Sequence, residues 1–157
     1  MKFYTSYFYQ LRFFPPNAIP LSTAVFDPKW YFNFQKQGHV WKDKRGVYNG
    51  LRADPLMPGE QCEGLCYGPE GCDAKPNYCR FLQAYKRQLD KLDFAEIVGR
   101  AERLAKKIQN KEGFSEEPEV IFLFHETPTN PCSERWAVQK WFQEHWIEIS
   151  EWRQCGG

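Results

Sequence analysis

Five consecutive residues, Val120, Ile121, Phe122, Leu123 and Phe124, are apolar without interruption. A strand with one wet face alternates apolar and polar positions. A run with no polar position belongs to a strand covered on both faces, as in the middle of a parallel sheet. The run is too short to span a bilayer. Parallel neighbours require crossover connections, usually helices, and those crossovers are right-handed.

The rest of the chain supplies the parts. Residues 3–9 and 19–26 are strand-type runs, ended by Pro15-Pro16 and by Asp27-Pro28. Phe81, Leu82, Tyr85, Leu89 and Leu92 recur at helical spacing. Asp93 followed by Glu96 reads as a capping box with Asp in the Ser/Thr role. It opens a helix whose stripe is Phe94, Ile97, Val98, Ala101, Leu104, Ala105 and Ile108, and Gly113 fits the residue just past its end. Asn130 and Pro131 suit the N-cap and first residue of a helix running over 136–145. Ile147 and Ile149 alternate with Glu148 and Ser150, as in a final strand. The order predicts a single α/β domain over residues 1–157. Its sheet is mainly parallel, with strand 120–124 between the two N-terminal strands and helices on both faces. A chain of 157 residues buries about two-thirds of its unfolded surface, so it needs no disulfide to hold a core.

Residues 35–79 carry no lasting periodicity. A loop this long inside a small domain is functional or held by a ligand. Within it, Cys62, Cys66, Cys72 and Cys79 follow the pattern C-x3-C-x5-C-x6-C, so residues 50–80 read as a cysteine-rich insertion. The N-terminus lacks the apolar stretch of a signal peptide, which places the chain in the reducing cytoplasm, where clustered cysteines serve metals rather than disulfides. Zinc is the expected metal, an iron–sulfur cluster the alternative. Four thiolates leave no open position, so this site is structural and orders the loop.

Parallel sheets place their working sites beyond the strands' carboxyl ends. Residues 5–9, 27–30 and 125–135 converge there. His125 and Glu126 are candidate acid–base groups, and Cys132 is a candidate nucleophile in the positive field of a helix start. Thr5, Ser6, Lys29, Cys132, Ser133 and Arg135 form a candidate pocket for a small anionic ligand, a nucleoside or nucleotide, with Tyr7, Tyr9 and Trp30 as rings to cover a base. Glu134 opposes an anion there. Net charge is +1, so nothing global marks a nucleic-acid or membrane binder. Aromatic residues are nonetheless abundant at 17 %. The competing reading is a zinc-stabilised adaptor whose loop binds protein or nucleic acid without catalysis. Whether the chain is an enzyme stays open at this point.

Both ends of the chain also resemble the bacterial and phage family of domains of unknown function numbered 488. The N-terminal match is Tyr4, Thr5, Ser6, Tyr7 and Phe8, then Ile19, Pro20, Leu21 and Ser22, then Asp27, Pro28, Lys29, Trp30 and Tyr31. The C-terminal match is strand 120–124, His125-Glu126, Pro131-Cys132 through Arg135, Trp141, and residues 148–152. Members usually carry Cys-His-Arg after the strand, where this chain has Cys132-Ser133-Glu134-Arg135. The resemblance implies a compact parallel α/β fold, makes the cysteine loop an insertion, and implies no settled activity.

Overall fold

The computed structural model describes residues 1–33, 35, 39–65 and 78–154. Four strands form one sheet in the order β2-β5-β1-β6: β1 (Lys2–Tyr7), β2 (Ala18–Ser22), β5 (Glu119–Phe124) and β6 (Ser150–Glu151). All three pairings are parallel, with Phe3 opposite Val120, Ile19 opposite Val120, and Thr5 opposite Glu151. The domain is thus the expected α/β type, with β5 between the two N-terminal strands.

The uninterrupted apolar run explains why β5 is central. Val120, Phe122 and Phe124 pack with α2 (Arg80–Asp90), α3 (Phe94–Glu112) and α4 (Arg135–Glu144), while Ile121 and Leu123 face the opposite cluster. That opposite cluster differs from the expectation of helices on both faces. It is built from the 3-10 segment Phe8–Phe13, Tyr31 of the single-turn helix α1 (Lys29–Phe32), Val47 and Trp152. Val47 lies beside a small hairpin, β3 (Trp41–Lys42) with β4 (Tyr48–Asn49), which the aperiodic sequence of the region did not signal. Its turn is chemical rather than apolar: Asp43 Oδ1 accepts from the Arg45 and Val47 N–H groups, and Gly46 takes φ 90°.

Helix α3 starts and stops where its sequence says. Asp93 accepts from Glu96 N–H at 3.1 Å, and Gly113 has the left-handed φ of 77°. Such a cap contributes about 1 kcal/mol. Burial of Val98 and of Ile108 contributes about 1.5–3 kcal/mol each, so packing, not the cap, decides that the helix forms.

The region before the cysteine loop is ordered by direct contacts. Ser22 N–H donates to Leu51, and Ala53 N–H donates back to Ser22. Tyr85 Oη donates to the Leu56 carbonyl, and Gln88 Nε2 donates to Met57 while its Oε1 accepts from Gly59. These bonds hold residues 50–65 against β2 and α2. Among the described residues, no helix is long and apolar enough to cross a membrane.

Candidate functional site

A cleft of about 460 Å³ opens beyond the carboxyl ends of β2 and β5. Residues 23–26 after β2 form one wall, and His125, Glu126 and Glu134 form the other, with Gly59 and Glu63 at the rim. His125 Nε2 bonds the Phe26 carbonyl across the cleft, and its ring lies 5.0 Å from that of Phe8. A carbonyl only accepts, so the proton of a neutral ring sits on Nε2 and Nδ1 is its basic atom.

The electrostatic centre is a carboxyl pair. Glu134 is the N-cap residue of α4 and approaches Glu126 within hydrogen-bonding reach. Two carboxylates bond only if one holds a proton. Burial, then the charge of Glu126, pushes Glu134 up to about 8, which supplies that proton at neutral pH. Glu126 Oε2 is itself buried and has no hydrogen-bond donor on it among the described residues. Burial and the nearby Glu134 also raise the thiol pKa of Cys62 and the phenol pKa of Tyr85.

Arg135 fastens the wall rather than lining it. Its side chain is fully buried, and every nitrogen of the guanidinium is committed. Nε donates to Glu151 at 2.9 Å, Nη1 to the Glu126 carbonyl at 2.6 Å and to Ser133 Oγ at 3.3 Å, and Nη2 to the Ser6 carbonyl at 3.0 Å. Burial drives the Arg135 pKa down and the Glu151 pKa up, each against the attraction of the other. Desolvation thus outweighs the ion pair, whose use is geometric: it ties β1, the post-β5 loop and β6 together.

This arrangement corrects the anion pocket expected from the sequence. Helix α4 begins at Arg135, so Cys132 and Ser133 precede it. The Cys132 N–H donates to Asn130 Oδ1 and the Ser133 N–H to the Asn130 carbonyl, so Asn130 closes a turn instead of capping a helix. Their amides are spent, and so are the donors of Arg135. Thr5 Oγ1 donates to Glu151 and accepts from Gln139 Nε2, while Ser6 Oγ is buried without a hydrogen-bond partner among the described residues. Lys29 is exposed on α1, and the Cys132 side chain lies in the helix-side core. Tyr7 lies 5.9 Å from the Arg135 guanidinium, and Tyr9 packs at 6.1 Å from Phe13. Of the expected acid–base groups, His125 and Glu126 do line the cleft. Glu134, read from sequence only as an obstacle to an anion, is the residue that completes it. The signal for it was an acid beside Asn130-Pro131, where a carboxylate and a helix start meet.

Cys62 and Cys79 hold the two sides of the cysteine loop in the core, at 0 and 3 % exposure. Cys62 Sγ lies 3.8 Å from Gln88 Oε1 in the last turn of α2, whereas Cys79 caps the first. Cys66 and Cys72 lie outside the described residues. Among the described residues, no three His, Cys, Asp or Glu side chains cluster as a metal site.

The fold and site define a four-stranded parallel α/β domain with a carboxyl pair at the strand ends. No family matches the chain, and no match emerges among curated proteins or solved structures.

Proposed function

We propose that the strand-end cleft binds a small polar ligand and moves a proton on it, with Glu134 as the acid, Glu126 as its carboxylate partner and His125 Nδ1 as a flanking base. The observation that carries this reading is the carboxyl pair, with Glu134 held up to about 8 against an ordinary 4.5. A carboxylic acid kept protonated near neutral pH can donate to a leaving or developing oxygen or nitrogen. Structural ion pairs also perturb carboxyls, but among the described residues Glu134 has no salt-bridge partner, and the adjacent Arg135, bonded to Glu151 and to backbone carbonyls, lowers its pKa less than burial and Glu126 raise it. Glu63, Glu126 and Glu134 make the lining acidic. A free phosphate would be repelled, so the group entering the cleft is uncharged or cationic, as are the base and sugar of a nucleoside.

Thermal shift tests this with a panel of nucleosides, nucleotides and small amines. At least one uncharged or cationic compound should raise the Tm, and the shift should vanish in Glu126→Ala. If none does so, or the shift survives in Glu126→Ala and Glu134→Gln alike, the cleft is not the site. The cysteine loop is part of the same proposal: zinc on Cys62, Cys66, Cys72 and Cys79 would order the segment that joins the cleft's rim to α2. Membership of the family numbered 488 is proposed on the quoted motifs alone.

A further inference from the structure

A second concavity, about 510 Å³, lies on the sheet face opposite the three long helices. Its floor is Phe8 and Leu11, its walls include Trp30 and Trp41, and Arg12 and Lys44 stand at its rim. The geometry points to a docking groove for single-stranded nucleic acid, with a base stacked at the tryptophans and the backbone along Arg12 and Lys44.

Four features support this occupant. First, Trp30 is 48 % exposed although two neighbours hold it, edge-on to Phe8 and to Tyr31 at 86° each. A large ring fixed by its edges and left in water is a stacking platform. Second, Trp41 spends its indole N–H inward on the Tyr31 carbonyl at 3.1 Å, which fixes its ring without asking a ligand for an acceptor. Third, the exposed aromatics continue along this side, with Tyr9 53 % and Phe13 39 % exposed, and the Arg12 guanidinium lies 4.0 Å over the Tyr9 ring. Fourth, the charge is complementary to a polyanion. Among the described lining residues one is a carboxylate, Asp43, neutralised by Arg45 at 2.6 Å and by two backbone amides, while Arg12 and Lys44 are exposed cations. An overall charge of +1 hides this local excess. Aromatic faces interleaved with cations are the means by which strands are held without reading their sequence.

The groove also adjoins the cleft, because Phe8 contacts both Trp30 and His125. Binding here does not rest on the acid–base reading; only the fate of the bound strand does.

The test titrates the full chain with a (dT) oligomer of about ten nucleotides, followed by tryptophan quenching. Thymidine monophosphate and a proline-rich peptide serve as the other arms. The oligomer should bind, and two contacted phosphates should weaken binding about sevenfold between about 50 and 200 mM salt. Trp30→Ala should weaken it about tenfold or more. Lys44→Glu, an exposed position with no packing role, should weaken it and flatten the salt dependence. Lys107→Glu, an exposed charge reversal on α3 across the sheet, should bind as the native chain does. No binding at low salt, binding untouched by both groove variants, equal affinity for the mononucleotide, or capture of the peptide instead of the oligomer would each overturn the proposal. Those results leave the cleft test standing, since Glu126→Ala reads out there alone.

Discussion

Replacing Glu134 by Gln keeps the shape of the protonated acid and its donor toward Glu126 while removing its titration. In the unfolded chain this carboxyl has its ordinary value of 4.5, and in the folded protein it is raised to about 8. Between these values folding takes up a proton. The cost to stability is absent below the unfolded value, because both states are protonated there. It grows by about 1.4 kcal/mol per pH unit as pH rises and levels off above the folded value. At pH 7 the native chain therefore carries a penalty of roughly 3 kcal/mol, which Glu134→Gln does not. Urea unfolding followed by tryptophan fluorescence, from about pH 5 to about pH 8, gives both stabilities by linear extrapolation. The two proteins should be within about 1 kcal/mol near pH 5, and the variant should pull ahead steadily toward pH 8. Titrating groups that do not interact with Glu134 are common to both and cancel, so the difference reads the Glu126–Glu134 pair. Curves that run parallel, or a gap that widens toward acid, would refute the protonated carboxyl and remove the basis of the acid–base reading.

Arg135→Ala should destabilise by about 3–5 kcal/mol, because it strands Glu151 and the carbonyls of Ser6 and Glu126 in the interior. Arg135→Met with Glu151→Leu should recover most of that loss in the same urea assay, while Glu134 keeps its raised titration by NMR, because burial and Glu126 raise it and Arg135 only lowers it; a double variant as weak as the single would sink the geometric role. Elemental analysis of purified protein should find about one zinc per chain, lost in Cys72→Ser, whose loop should become protease-sensitive. Absence of metal from protein purified without chelator would rule this out.

The sheet was legible because its signals are local and apolar. Residues 120–124 announce a strand buried twice over, and Asp93, Glu96 and Gly113 announce α3. The hairpin around Asp43 and the course of residues 50–65 were not legible, since hydrogen bonds from Gln88, Tyr85 and Ser22 hold them and such bonds leave no periodicity. At the site, the location and His125 and Glu126 could be read from where β5 ends. The anion pocket was misjudged for two reasons: the Cys132 and Ser133 amides are spent locally on Asn130, in a turn that the Asn-Pro pair disguised as a helix cap, and the Arg135 guanidinium is drawn inward by partners that include Ser6, 129 residues away. The same blindness hid Glu134, whose importance comes from burial beside Glu126.

The order β2-β5-β1-β6 also constrains how the chain reaches its fold. Strand β1 lies between β5 and β6, so both its partners are made at the other end of the chain, Lys2 meeting Glu119 and Thr5 meeting Glu151. Closing loops of that length slows folding, and contacts of such separation form late. During synthesis the first strand therefore emerges with both hydrogen-bonding edges open and Phe3 uncovered. The helices α2 and α3 wait as well, since α2 packs on α4 and α3 on β5. A nascent chain of this topology is exposed to strand-mediated association until β5 has been made.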